Sequence, residues 1–265
     1  MLRPMKSPHF QLVVVDLLST VTGSACVCAR LLSSALDGEG IEVSPEDVRN
    51  VLGLPVRRAV SALARTGAGL DAQAQRHDRA HDAFVAGLRR HYSALGSVRE
   101  VEGTAACFGR LRAQGLRLAI VTNLPRAVAS TILESLDWYD RGLIDTVVTC
   151  EEVEEPRPQP GMVFEAMRRT AVAEARRVVK VGQTPADLAE GTLAGCGAVV
   201  GLTHGAHGRD ELLLRPHTHL VDRLFALVDV IALSEVAPRT ATAAARQTSA
   251  HNGAERAPHP GLDRR

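Results

Sequence analysis

From Gly103 to Leu233 the sequence alternates between segments with helical spacing of apolar residues and short, wholly apolar segments. Segments with strand composition occupy 116–122, 144–149, 178–181, 198–203 and 219–221, and segments with helix composition occupy 104–114, 125–136, 161–170, 185–194 and 223–233. The first of these helices is followed by Gly115, a residue favoured just after a helix. The alternation predicts an α/β fold with a parallel sheet and helices on both of its faces.

A further strand is predicted near the N-terminus, where the β-branched run Gln11–Val15 leads into Asp16. A buried parallel strand would deliver this carboxylate to the C-terminal edge of the sheet, where open α/β folds place their chemistry. The hydroxyl groups of Ser19 and Thr20 follow within one turn. Many strands end in an Asp that only satisfies a turn, so the role of Asp16 depends on what the remaining chain places around it.

Between the first strand and residue 97 the pattern is helical, and Ser44-Pro45-Glu46-Asp47 reads as a helix start. A helical block inserted at this edge of a sheet is typical of a cap that gates a site against water. After residue 235 the sequence has almost no large apolar residues. We predict an α/β core from 9–22 and 97–235, a helical cap from 23–96, and a disordered tail from 236–265.

Composition excludes several classes of protein. The net charge of +1 gives no field that would attract nucleic acid or a membrane surface. No apolar run reaches the roughly 20 residues that a membrane span needs, and the first residues lack a signal-peptide core. The five cysteines are scattered and odd in number, which favours reduced thiols. We predict a cytoplasmic protein that binds neither nucleic acid nor membrane, and we leave a homodimer open.

Three more predicted strand ends carry polar groups that would share the edge with Asp16. Thr122-Asn123 follows one strand, Arg157 lies in the loop after the next, and Asp187 comes shortly after Gly182. A carboxylate, a hydroxyl, a cation and a second carboxylate in one cleft suit nucleophilic attack on a small anionic metabolite. In each case the alternative is structural: a strand-end hydroxyl, one of many arginines, or an acid that favours a helix start.

As a set, these residues resemble the haloacid dehalogenase (HAD) superfamily, in its phosphonatase-like and phosphoglycolate-phosphatase-like branch. Asp16–Thr20 reads D-L-L-S-T, Thr122 follows the second strand, Pro156–Pro160 reads P-R-P-Q-P, and Val181–Asp187 reads V-G-Q-T-P-A-D. Val51–Pro55, V-L-G-L-P, is similar to a cap motif of the same branch. The resemblance covers about residues 10–233, and it is specific as a set although each motif alone is loose.

The resemblance implies a Rossmann-like hydrolase that cleaves a small phosphorylated or phosphonate metabolite. Asp16 would form an aspartyl-phosphate, Thr122 would hold phosphoryl oxygens, and Arg157 would supply the cation. The implied Mg²⁺ ligands are Asp16, the Leu18 carbonyl, Gln183 and Asp187. The remaining residues that we expect to bind substrate are Ser19, Thr20, Asn123 and Arg57, although Arg57 also fits a solvated helix face.

Three departures from the family pattern leave alternatives open. Leu18 replaces the acid that would protonate a leaving alkoxide, and Gln183 replaces a metal-binding Asp, so Mg²⁺ would be weakened or absent. Val56 stands where phosphonoacetaldehyde hydrolases have their Schiff-base lysine, which argues against that reaction. The alternatives are a metal-independent hydrolase of dehalogenase type and a degenerate, non-catalytic member of the superfamily.

Overall fold

The computed structural model describes residues 10–63 and 70–236. Its six strands are β1 (Leu12–Asp16), β2 (Arg117–Thr122), β3 (Thr146–Thr149), β4 (Val178–Gly182), β5 (Ala198–Leu202) and β6 (His219–Val221). Its helices are α1 (Ser24–Asp37), α2 (Pro45–Val51), α3 (Val56–Leu63), α4 (Leu70–Tyr92), α5 (Thr104–Ala113), α6 (Arg126–Leu136), α7 (Gly161–Arg169), α8 (Pro185–Leu193), α9 (Arg209–Leu213) and α10 (Leu227–Val236).

The six strands form one parallel sheet in the order β3-β2-β1-β4-β5-β6. The strand β1 therefore lies between β2 and β4, with Asp16 opposite Val121 and Val15 opposite Val181. Because all strands run in one direction, their C-terminal ends meet at one edge of the sheet. The order thus places Asp16 beside the ends of β2 and β4.

Each face of the sheet is covered by its own apolar core. Along β1, Val13 and Val15 belong to one buried cluster, whereas Leu12 and Val14 belong to another that includes Met162 of α7. Successive side chains of a strand point to opposite faces, so a strand that is apolar throughout must be covered on both. The predicted α/β class with helices on both faces is confirmed.

Helices α1 to α4 form an insertion between β1 and β2, which we call the helical insertion (residues 24–92). Helix α2 begins at a capping box in which the Ser44 Oγ accepts from the Asp47 backbone N–H and the Asp47 carboxylate accepts from Ser44. The apolar faces of the insertion, including Leu32, Val60 and Leu88, continue one of the two sheet cores. The predicted boundaries between core and cap stay a prediction.

The predicted elements agree with the structure to within a few residues at each end. The largest difference is at 223–233, where a short 3₁₀ turn at Leu224–Ala226 precedes α10. The tail predicted over 236–265 lies outside the described residues except for Val236, which ends α10. Among the described helices, none has both the length and the apolar character needed to cross a membrane.

Candidate active site

A cavity of about 60 Å³ lies between the C-terminal ends of the central strands and the helical insertion. The residues that line it from the strand ends and their loops are Asp16, Leu18, Thr122, Asn123, Leu124, Arg157, Gln183, Thr184 and Ala206. Six of the residues predicted from sequence are in this set. The edge of the sheet therefore brings together side chains that lie far apart in the sequence.

Asp16 is the last residue of β1 and is 4% exposed. Its Oδ2 accepts hydrogen bonds from the Ser19 backbone N–H at 2.9 Å and from the Ser19 Oγ at 3.0 Å, and its Oδ1 accepts from Arg157 Nη1 at 2.8 Å. Burial and repulsion by Asp187 raise the pKa of Asp16 above its usual range, although Arg157 opposes the shift. The result is a carboxylate that three donors hold in one orientation and that is shielded from bulk water, which suits a nucleophile.

Arg157 lies between two prolines in the loop before α7 and is buried. Its Nη1 lies 2.8 Å from Asp16 Oδ1 and 2.9 Å from Asp187 Oδ1, and its Nε donates to Glu190 Oε2 at 2.8 Å. Its Nη2 is buried and has no hydrogen-bond partner among the described residues. One nitrogen of a rigid guanidinium fork is therefore left for a ligand.

Sequence reasoning missed two members of this charge cluster, Lys180 and Glu190. Lys180 Nζ lies 2.8 Å from Asp187 Oδ1 and 3.3 Å from Glu190 Oε2, and both residues are fully buried. The available signal was a lysine in the middle of a valine-rich buried strand, because a buried ammonium group requires partners. Gly191 also makes room for it, since a Cβ there would press on the Lys180 side chain.

Asp187 lies beneath the cavity and does not line it. Its Oδ1 contacts Lys180 Nζ and Arg157 Nη1, and its Oδ2 accepts from Thr184 Oγ1 and from the backbone N–H groups of Thr184 and Gln183. Burial alone would raise its pKa, but Arg157 and Lys180 lower it to about 2. The stability that Asp187 contributes is therefore present above about pH 4 and is lost as the pH falls toward 2.

Three residues predicted to bind substrate lie outside the cavity lining. The Ser19 hydroxyl donates a hydrogen bond to Asp16 Oδ2, and the Thr20 Oγ1 donates to the Leu17 carbonyl at 2.5 Å. The Arg57 side chain is 68% exposed and pairs with Asp78 at 2.6 Å. Ser19 thus supports the position of Asp16, Thr20 supports the turn that follows β1, and Arg57 lies on a solvated helix face.

Thr122 and Asn123 do line the cavity, and Asn123 also forms a hydrogen bond to the helical insertion. The Thr122 Oγ1 accepts from the Leu124 N–H at 3.1 Å, which leaves its proton for a ligand. The Asn123 Nδ2 donates to the Gly53 carbonyl at 2.5 Å, and the Asn123 Oδ1 has no partner among the described residues. Gly53 has φ +88° and packs so closely on Thr184 that a Cβ would overlap that side chain. The loop before α3 is therefore held directly against the strand ends.

The residues implied as Mg²⁺ ligands do not fit that ion in this arrangement. Five donors surround Asp187, which has about four lone-pair positions, so it has none to offer a metal. The Leu18 carbonyl already accepts from Ser24 Oγ at 2.5 Å, and Gln183 brings a neutral amide. No cluster of three or more His, Cys, Asp or Glu in the described part of the chain is arranged to hold a metal. The positive charge between the two aspartates is that of Arg157.

The parallel sheet and the helical insertion after β1 define an α/β protein with a cavity at the strand ends, and the sequence comparisons show its family. Residues 14–200 match the family model described as haloacid dehalogenase-like hydrolase. The chain belongs to this family, and it is a phosphatase-like hydrolase by its relationships.

Two kinds of relative illustrate the match. The chain is 26% identical to a phosphonoacetaldehyde hydrolase of Bacteroides fragilis over 224 residues, which cover 80% of this chain and 84% of the relative. It is 30% identical to a phosphoglycolate phosphatase of Cereibacter sphaeroides over 189 residues, covering 69% and 81% of the two chains. These relatives support the resemblance inferred from the motifs.

Solved structures show the same fold. A phosphonoacetaldehyde hydrolase-like protein from Oleispira antarctica superposes with a TM-score of 0.72 at 17% identity, over 89% of this chain and 97% of that one. A phosphoglycolate phosphatase-like structure from Lactobacillus plantarum gives a TM-score of 0.69 at 16% identity, over 83% and 99%. The Rossmann-like α/β fold is therefore confirmed, and at these identities the likeness concerns the fold alone.

Proposed function

We propose that this chain hydrolyses a small phosphorylated or phosphonate metabolite through a covalent aspartyl-phosphate on Asp16. The observation that carries the proposal is the pair of Asp16 and Arg157, a buried carboxylate next to a guanidinium with one unpartnered nitrogen. The phosphoryl group would bind where Arg157 Nη2 and the Thr122 hydroxyl can donate to its oxygens. The Mg²⁺ that the resemblance implies takes no part in this proposal.

In the first step the Asp16 carboxylate attacks phosphorus, the bond from phosphorus to the leaving group breaks, and an acyl phosphate forms. In the second step water attacks that acyl phosphate, phosphate leaves, and the Asp16 carboxylate is regenerated. Position 18 offers only an apolar side chain, so the leaving group must depart as a stable anion or take its proton from water. This favours substrates with a leaving group better than a simple alkoxide.

The proposal is tested by incubating the full chain with a panel of phosphate monoesters and phosphonates, with and without divalent cations. Release of phosphate that disappears in Asp16→Asn supports it. A panel without turnover, together with a Gln183→Asp variant that also fails to turn over, favours the degenerate, non-catalytic member of the family.

Chelation of divalent cations is expected to leave activity nearly unchanged, because Arg157 takes the position between the aspartates. With excess EDTA we expect kcat/KM to change by less than about twofold, whereas loss of an essential metal would remove several kcal/mol of transition-state stabilisation. Gln183→Asp is the matched variant, and calorimetry should show that it binds Mg²⁺ more tightly than the parent chain. Activity that EDTA abolishes and Mg²⁺ restores would contradict the metal-free site.

A second candidate is a metal-independent hydrolase of dehalogenase type, favoured by the poor fit of the Mg²⁺ ligands. Here Asp16 would attack a saturated carbon, a halide would leave, and water would hydrolyse the resulting ester. This reaction needs a cation for the substrate carboxylate but not a metal. Halide release from short 2-halo acids, without phosphate release from the ester panel, would select it.

The contact of Gly53 with the strand ends is expected to matter for turnover. Gly53→Ala would force a residue with φ +88° to carry a Cβ against Thr184, and the loop would move away from Asn123. We expect kcat/KM to fall by at least about tenfold, because small displacements of positioning groups are costly.

The matched control is Gly40→Ala, where φ is +69° and the space around a Cβ is open. It should lose about 1–2 kcal/mol of stability from backbone strain and keep its kcat/KM. Wild-type kcat/KM in Gly53→Ala would show that the contact has no role in turnover.

A further inference from the structure

The wall of the cavity that the helical insertion provides is built from uncharged, mostly apolar side chains. Among them are Cys28 and Leu32 of α1, Leu54 before α3, Val56 and Ala59 of α3, and Phe84 of α4. Burial raises the pKa of the Cys28 thiol to about 12, so this group is also neutral. Opposite this wall lie the polar groups of the strand ends. The cavity thus has one charged end and one apolar end.

No cation of the described insertion lines the cavity. Arg57 and Arg58 border a separate, shallow surface depression with Ser61 and Ala62. On the strand side Arg157 is the cation of the lining, and three carboxylates already surround it. A second negative charge on a ligand would therefore be buried against the insertion without a partner, which is strongly unfavourable.

The size of the cavity sets a second limit. About 60 Å³ is room for roughly four to six water-sized groups, since one water needs about 10–15 Å³ by this measure. Gly53 contacts Asn123 and Thr184, and these contacts hold the loop before α3 against the strand-end side of the cavity. A phosphoryl group together with a sugar ring exceeds this volume.

We propose that the part of the substrate facing the helical insertion is a short, uncharged, mainly aliphatic group, so that the ligand carries charge only at its reacting end. This inference rests on the proposed function for the identity of the charged end. The inference excludes phosphoglycolate as the substrate, because its leaving group bears a carboxylate. It also excludes sugar phosphates as substrates.

Stable phosphonates test the inference by calorimetry on the full chain, with methylphosphonate, propylphosphonate and phosphonoacetate as ligands. Each buried methylene should improve affinity about fourfold, so propylphosphonate, with two more methylenes, should bind about 15-fold more tightly than methylphosphonate. Phosphonoacetate should bind at least about tenfold more weakly than propylphosphonate, because its carboxylate meets the apolar wall.

Leu54→Lys is the variant that should change this order, since Leu54 is half-buried and lines the apolar wall. It should tighten phosphonoacetate and weaken propylphosphonate. Ala62→Lys adds the same charge to an exposed position of α3 outside the cavity and should leave the order as in the parent chain. The affinity order of the parent chain decides the matter even if Leu54→Lys does not fold.

Phosphonoacetate that binds the parent chain as tightly as propylphosphonate, or no binding of any of the three, overturns the inference. The proposed function is judged separately by turnover that depends on Asp16. Turnover of esters that carry a second charged group besides the phosphoryl group would support the proposed function and overturn the inference. Tight propylphosphonate binding without turnover would do the reverse.

Discussion

Asp16→Asn is expected to lower kcat by at least about 10⁴-fold while the free energy of unfolding stays the same or rises. The amide cannot form the covalent intermediate. In the folded chain, burial and Asp187 raise the pKa of Asp16, so its ionised form is destabilised at neutral pH relative to the unfolded chain. Removing that charge leaves Asp187 and Glu190 against Arg157 and Lys180, which is a balanced cluster. Turnover assays and urea unfolding measure the two effects.

The control is Asp145→Asn, which changes a partly exposed carboxylate that pairs with Arg112 far from the cavity. It should keep kcat and lose some stability, because Asp145 also accepts from the Leu118 backbone N–H. Retained turnover in Asp16→Asn, or an equal loss in Asp145→Asn, would contradict the role of Asp16.

Lys180→Met is expected to lower the free energy of unfolding by about 3–5 kcal/mol, because it leaves buried carboxylates without their partner. Lys180 Nζ contacts Asp187 at 2.8 Å and Glu190 at 3.3 Å. Without it, Arg157 is the one positive charge left in the described cluster. The methionine keeps most of the buried volume, so the loss reports on charge and not on a cavity. Urea unfolding at neutral pH is the measurement.

Two comparisons separate this effect from a general loss of packing. Adding Glu190→Gln to Lys180→Met removes one unpaired carboxylate and should recover at least about 1 kcal/mol, the size of coupling seen between contacting groups. Arg168→Met breaks an ion pair whose arginine is 73% exposed and should cost less than about 1 kcal/mol. A double variant no more stable than Lys180→Met would mean that charge balance does not govern this cluster.

The sheet could be predicted from sequence because its strands are continuous apolar runs separated by helix-length segments. Val13 and Val15 on one face and Leu12 and Val14 on the other need two apolar covers, which the helix-length segments between the strands can supply. The position of Asp16 at the strand end followed from the same run. These signals are local in the sequence. In a parallel sheet the C-terminal ends of the strands lie at one edge, so residues that follow different strands come together there.

The roles within the site were less predictable, because they depend on the direction of side chains. Asp187 is close enough in sequence to Thr184 to form a capping box, and that geometry turns its oxygens away from the cavity. Glu190 contacts both Arg157 and Lys180, and these contacts depend on the packing of α8 against the sheet. Arg57 points to solvent because the opposite face of α3, with Val56 and Val60, is the apolar one.

The ion pair between Asp16 and Arg157 joins residues 141 positions apart in the chain. It can form only when β1 lies in the sheet between β2 and β4, so the charged cluster depends on contacts between distant parts of the chain. Strand β1 also pairs with β4, which carries Lys180, so it lies beside the other charges of the cluster. The same strand brings Asp16 to the cavity and supplies apolar side chains to the cores on both faces of the sheet, so one element serves both the stability of the fold and the candidate site.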